Sequence, residues 1–203
     1  MRLLLGTRNP GKVFEIVSIL ADSGWSFFSL EDFPNVGEAE ENFTTFVENA
    51  IAKAQFYASA TGLCALADDS GLEVEALGGA PGVLSARYAG ANATDADRRV
   101  LLLSELARVG ASIRRARFVA VVAISKPKGE ILNTSEGICD GTIAIAPRGT
   151  GGFGYDPLFI PEGYNQTFAE LPDTIKNQIS HRARALMDTR AFLSQLDHPR
   201  CDS

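Results

Sequence analysis

The sequence predicts an α/β fold with a mixed β-sheet. Helix-like and strand-like segments alternate through the first half of the chain, and two β-rich runs form a hairpin pattern in the second. No repeat and no linker rich in Pro, Gly or Ser divides the 203 residues, so a single domain over 1–203 is expected. With 45% hydrophobic and 22% charged residues, disordered, collagen-like and coiled-coil readings fit poorly.

Arg2 to Leu5 reads as a short buried strand. Asn9 offers a helix N-cap with Pro10 at the first helical position, and the helix is expected to reach about Ala21. Ser26 to Leu30 suits a second strand. From Phe43, the apolar residues Phe46, Val47, Ala50, Ile51 and Ala54 mark one helical face that fades at Gly62. Cys64 to Ala67 is a small apolar strand ending at Asp68. Thr94 or Asp95 caps a helix through about Val109. Arg117 to Ser125 and Glu130 to Ile138, separated by Lys126-Pro127-Lys128-Gly129, form an antiparallel hairpin, and Thr142 to Ala146 continues the sheet. Ser180 caps a last helix through about Leu196, and the tail 197–203 has little apolar content to anchor it.

Charge and cysteine usage narrow the function. The formal charge is -6, from 25 acidic against 19 basic residues, which disfavours adhesion to nucleic acid or anionic lipid. A polyanionic substrate must then be small and met by local positive charge or a metal. No apolar run approaches the roughly 20 residues of a membrane helix, and the start Met1 to Gly6 is too short for a signal-peptide core, so a soluble protein is expected. Cys64, Cys139 and Cys201 are odd in number and widely spaced, which suits a reducing cytosol and suggests neither disulfides nor zinc.

Several segments have the makings of a site. Gly6-Thr7-Arg8-Asn9-Pro10-Gly11-Lys12 follows a strand and opens a helix, where backbone N–H groups, the helix dipole and Lys12 favour phosphate. The spacing matches the G-x-x-x-x-G-K part of a P-loop, but Val13 replaces the hydroxyl that would hold Mg²⁺. An ordinary strand-to-helix turn has the same outline; a lysine in the first helical turn argues for an anion there. Asp68 and Asp69 point to opposite sides if their strand continues, whereas a turn at Ser70-Gly71 would aim both carboxylates at one cleft, suited to a hard cation or a general base. Glu41, Thr45, Asn49 and Lys53 recur at intervals of four and would line one polar stripe of a helix, which spacing alone reads as a solvated face. Gly149 to Pro157 is glycine-dense with two aromatics, Phe153 and Tyr155, and one acid, Asp156: glycine admits close backbone approach, and an aromatic face suits a planar base. Lys176, His181 and Arg182 gather cationic groups near a helix start, poor local electrostatics that mark a site.

Together these blocks resemble the Ham1/RdgB family, the inosine triphosphate or non-canonical purine nucleoside triphosphate pyrophosphatases. The resemblance is carried by Thr7-Arg8-Asn9-Pro10-Gly11-Lys12, Thr45-Phe46-Val47-Glu48-Asn49-Ala50, Ala67-Asp68-Asp69-Ser70-Gly71-Leu72, Gly78-Gly79-Ala80-Pro81-Gly82, Gly149 to Pro157 and Ile179-Ser180-His181-Arg182. It covers Leu3 to about Leu196. It implies an elongated mixed sheet flanked by helices in two lobes around a nucleotide cleft, a cytoplasmic homodimer, a requirement for Mg²⁺, and hydrolysis of dITP, ITP and XTP to monophosphate and pyrophosphate. Carried onto this chain, Asp69 is the proton acceptor, and Glu41 and Asp69 are the metal acids, with Asp68 nearby. Thr7 through Lys12 form the triphosphate loop, and Lys53 is a further phosphate contact. Ser70, Phe153, Gly154, Tyr155, Asp156, Lys176, His181 and Arg182 complete the nucleotide contacts. Phe43 stands where relatives often have Gly, which leaves the metal acid open between Glu40 and Glu41.

The residues' own chemistry agrees with that implication. Water must attack the α-phosphorus as pyrophosphate leaves, so an acid must hold or deprotonate water and positive charge must gather on the leaving group. Selecting a 6-oxo purine over adenine requires N–H donors at the oxygen, for which His181, Arg182 and the glycine-loop amides are candidates, while Phe153 or Tyr155 stacks on the base. The alternative is a P-loop-like NTPase or phosphotransferase, whose weak point is Val13. A nucleotide-binding module without catalysis and a pyrophosphatase acting on pyrimidine or methylated nucleotides are further readings.

Overall fold

The structure, a computed structural model, describes residues 1–196. Six strands form one sheet in the order β2-β1-β3-β4-β5-β6, with β1 Arg2–Leu5, β2 Ser26–Ser29, β3 Cys64–Val74, β4 Arg115–Ser125, β5 Ile131–Ile143 and β6 Phe159–Pro161. β1 pairs in parallel with β2 and with β3, whereas β5 pairs antiparallel with β6, so the sheet is mixed as expected. The helices are α1 Pro10–Leu20, α2 Phe46–Thr61, α3 Asp95–Arg108, α4 Asp173–Ile179 and α5 His181–Gln195. The chain forms two compact units built from interleaved segments. One comprises Met1–Asp69, Ala120–Gly137 and the chain from Arg182; the other comprises Ser70–Val119 and Ile138–His181.

The first unit has an apolar core in which Leu3 and Leu5 of β1, Leu66 of β3 and Val122 and Ile124 of β4 pack with Ile16 and Leu20 of α1 and Leu186 and Leu193 of α5. Leu4, Leu30, Tyr57, Ala58 and Ala65 form a second cluster in the same unit. β1 is a continuous apolar run because both of its faces are covered, as a strand with two parallel neighbours requires. α1 starts where the chain predicts: the Asn9 side chain accepts the Lys12 N–H, and Pro10 needs no partner at the first helical position. In the second unit, Leu72 and Val74 of β3, Leu102 and Leu106 of α3 and Phe118 of β4 enclose Phe159, Phe168 and Tyr155. Thr94 and Asp97 form a capping box that opens α3.

Three expectations change, and two elements are added. β3 does not end at Asp68 but runs on through Ser70-Gly71 to Val74, so no turn follows the aspartates. α2 begins at Phe46 behind an N-cap at Thr45, which leaves Glu41 in the preceding loop rather than on a helix. The segment 142–146 adds no separate strand, because β5 continues to Ile143 in one piece. α4 and the short edge strand β6 were not legible in the chain: α4 has too few turns for a periodic pattern and β6 is three residues long. The expected anchorless tail 197–203 lies outside the described residues. Among the described residues, no helix is long and apolar enough to cross a membrane.

Candidate active site

The phosphate-type loop is pinned by β-sheet geometry before any side chain acts. Gly6 N–H donates to the Leu66 carbonyl at 2.7 Å, which carries the sheet one residue past β1 and sets the loop against β3 two residues ahead of Asp68. A Cβ at Gly6 would lie 2.7 Å from Tyr57 Cδ2 and 3.2 Å from Ala67 Cβ, so the close approach requires glycine. Thr7 Oγ1 accepts the Asn9 N–H, and Asn9 caps α1, with Pro10 and Gly11 in its first turn. Arg8 is turned away to donate to the carbonyls of Val36 and Leu30, so it fastens the segment after β2.

Buried charges converge on the two aspartates. Lys12 Nζ lies 3.0 Å from Asp68 Oδ2, and Arg182 Nε reaches the same oxygen at 3.2 Å while its Nη1 donates to Glu15. Asp68, Glu15 and Arg182 are all nearly inaccessible. Burial alone would raise Asp68, but Lys12 and Arg182 outweigh it and hold the carboxyl well below its usual range. Lys12 goes down from its ordinary value, because burial and the neighbouring cations Lys53 and Arg182 prevail over Asp68. Glu15 is a residue that the sequence reading missed; a single acid on the buried face of an amphipathic helix was its only trace.

Asp69 has a different environment. Its Oδ1 lies 3.9 Å from Lys53 Nζ, which is itself 2.5 Å from Glu41 Oε1. Burial raises Asp69 from 3.8 to about 6, Lys53 opposing and Glu41 adding to the rise, so the acid titrates near neutrality. Lys53 is raised: burial would lower it, but Asp68, Glu41 and Asp69 prevail. Asp69 Oδ2 is buried without a hydrogen-bond partner, an arrangement that fits a hard cation and is costly otherwise. Of the two candidate acids, Glu41 reaches Lys53, whereas Glu40 accepts from the Asn42 amide. Asn49, fully buried on α2, explains how a loop acid gets there: its side chain accepts the Phe43 N–H at 3.1 Å and donates to the Phe43 carbonyl at 3.2 Å. The stripe of Asn49 and Lys53 is therefore an inward face rather than a solvated one. Among the described residues no group of three or more His, Cys, Asp or Glu is placed to hold a metal, and Glu41 and Asp69 both face Lys53.

The second unit carries the other predicted residues. Asp156 accepts from Lys176 Nζ at 2.6 Å and from the Phe153 N–H at 2.9 Å, so the acid of the glycine loop organises that loop. Lys176 Nζ stands 4.9 Å from the Phe153 ring centroid, with the ring half-buried. Tyr155 is enclosed in the apolar core and donates its hydroxyl to the Ser85 carbonyl, whereas the Phe153 ring is half-buried. The His181 ring stacks on Phe118 at 4.6 Å. Ser70 follows Asp69 on β3. The boundaries between the units fall after Asp69 and after His181, so Ser70, Gly154, Lys176 and His181 belong to the second unit and Arg182 to the first.

The fold and these residues define a class: a mixed α/β protein in which a helix-start loop carrying a lysine lies beside two buried adjacent aspartates. The Ham1 family model matches residues 3–192, and the chain belongs to the Ham1 family. It is 50% identical over 196 residues to the dITP/XTP pyrophosphatase of Desulforamulus reducens, covering 97% of each chain. It is 52% identical over 185 residues to that of Geobacter sulfurreducens, covering 91% of this chain and 92% of the relative. Among solved structures, a HAM1 protein from Coxiella burnetii superposes with a TM-score of 0.89 at 43% identity, covering 97% of this chain and all of the other. The Staphylococcus aureus Ham1 protein gives 0.83 at 38% identity, over 95% and 98%.

Proposed function

We propose that this chain hydrolyses non-canonical purine nucleoside triphosphates, dITP, ITP and XTP, at the α-β phosphate bond to yield the monophosphate and pyrophosphate. The observation that carries the proposal is the buried pairing of Lys12 with Asp68 beside a second cluster in which Lys53 bridges Glu41 and Asp69. One aspartate is locked in its charged form by two cations, and the other is poised to exchange a proton near neutral pH. Two acids with separated protonation behaviour on one strand suit hydrolysis. The curated relatives named dITP/XTP pyrophosphatase support the substrate class.

In this mechanism Asp69 orients the attacking water and accepts its proton, while Lys12, Lys53 and the N–H groups of residues 7–12 take up charge on the leaving pyrophosphate. Glu41 and Asp69 would hold Mg²⁺, which supplies Lewis-acid stabilisation of phosphate charge when bound. Phe153 stacks on the base, with Gly154, Asp156 and Lys176 keeping it in place. His181 and Arg182 donate toward the 6-oxygen, and Ser70 and Thr7 complete the contacts. A cytoplasmic setting is proposed on the odd number and wide spacing of the cysteines. A homodimer is proposed on the family resemblance.

The test is a panel of purine triphosphates with Mg²⁺ and separate detection of orthophosphate and pyrophosphate. Pyrophosphate from ITP, dITP and XTP, with ATP a poor substrate, is the expected result. Orthophosphate from ATP would instead favour a P-loop-type NTPase. Retained discrimination between ITP and ATP in both His181→Ala and Arg182→Ala would remove those side chains from base selection.

A further inference from the structure

The glycine-rich loop is held from outside by the first turn of α3. Gly154 N–H donates to Asp95 Oδ2 at 2.8 Å, and the Gly154 carbonyl accepts from Arg99 Nη1 at 2.7 Å, so one residue is gripped on both of its peptide groups. Glycines on either side of Phe153 have positive φ, 68° at Gly152 and 60° at Gly154, a backbone that would wander if left to itself.

The two peptide planes flanking Phe153 set the direction of its Cα–Cβ bond, the stem from which the ring is carried. The plane before it is fixed by the Phe153 N–H bond to Asp156, and the plane after it by the Gly154 N–H bond to Asp95. With both backbone torsions of Phe153 held, its Cα–Cβ bond has one direction, and the ring centroid lies 4.9 Å from Lys176 Nζ. Asp95 and Arg99 lie almost 60 residues upstream, on a helix that contributes nothing else to the proposed chemistry.

We infer that Asp95 and Arg99 are positioning residues that hold the backbone from which the Phe153 ring stacks on the base, Asp95 gripping the peptide before Gly154 and Arg99 the peptide after it. The stacking role rests on the function proposed above; the clamp rests on its own geometry. Losing one charge-assisted hydrogen bond corresponds to roughly tenfold in an equilibrium, so the effect belongs in substrate binding and not in the chemical step.

The experiment combines amide hydrogen exchange over residues 151–157 with steady-state hydrolysis of ITP in Arg99→Ala, Arg99→Lys and Asp95→Asn. In Arg99→Ala, exchange at Phe153 and Gly154 is expected to accelerate by about tenfold, with KM raised about tenfold and kcat within about twofold. Arg99→Lys, which still offers a donor to the carbonyl, should restore both to within about threefold of the parent. Unchanged exchange, faster exchange with unchanged KM, or a fall in kcat alone would each overturn the inference. A parent protein that turns over no purine triphosphate would defeat the functional proposal, and the exchange measurement would then decide the clamp.

Discussion

Lys12 Nζ and Asp68 Oδ2 lie 3.0 Å apart, joining the first turn of α1 to the middle of β3 in a place that water scarcely reaches. Arg182 shares the same carboxylate. Removing the anion takes from Lys12 and Arg182 the carboxylate they share, whereas removing Lys12 leaves Asp68 still paired with Arg182. Asp68→Ala is therefore expected to cost about 3–5 kcal/mol in urea unfolding, and Lys12→Met clearly less. A loss for Asp68→Ala no greater than that for Lys12→Met would contradict the pairing.

Asp69 yields the opposite sign. Its acid is raised from 3.8 to about 6, so the folded chain binds its proton more tightly than the unfolded chain does. The stability that this protonation contributes is fully present below about pH 4, falls as pH climbs to about 6, and is lost above that. In EDTA, Asp69→Asn should gain about 1–3 kcal/mol over the parent at pH 8, the gain vanishing below about pH 4, while hydrolysis is lost. Urea midpoints against pH measure the first effect and pyrophosphate release the second.

Asn49 fastens the Phe43 backbone, two residues after Glu41. Both Glu41→Gln and Asn49→Ala are expected to raise the Mg²⁺ concentration for half-maximal hydrolysis by about 10–100-fold, the first by removing a ligand charge and the second by releasing the Phe43 backbone. Asn49→Ala should also lose about 1–3 kcal/mol, because the side chain is fully buried and makes two hydrogen bonds to backbone. A magnesium titration unchanged by Asn49→Ala would show that the loop finds its place unaided.

Gly6→Ala tests the packing of the anion loop. The added methyl would stand 2.7 Å from the Tyr57 ring, so the loop or the ring must shift. A destabilisation of about 1–3 kcal/mol is expected, together with a higher KM for the triphosphate. Unaltered unfolding and kinetics would mean that the loop tolerates displacement.

Much of the local architecture was readable along the chain. Asn9-Pro10 announced α1, Thr94 announced α3, and the apolar spacing after Phe46 marked the body of α2, because caps and periodicity act over a few residues. The segments carrying the proposed chemistry were readable too, since a lysine after a helix-start loop and adjacent aspartates on an apolar strand are locally unfavourable and signal a site. The strand end at Asp68 was misplaced because polar residues in an apolar run look like a turn; in the fold they stay in the strand, where cations from α1, α2 and α5 meet them.

Pattern and propensity thus announced which elements form and which residue types are out of keeping with them, since both are properties of neighbours in the chain. Only folding sorted those residues into roles. It gave Asp68 two cations and Asp69 a shared one, bonded Arg8 and Tyr155 to distant carbonyls, brought in Glu15, Asn49, Asp95 and Arg99, and set Glu41 against Lys53 while Glu40 bonded Asn42. A carboxylate's protonation and a loop's order depend on charge, burial and hydrogen bonds contributed by residues up to more than a hundred positions away, and such proximity is written in no local stretch of sequence.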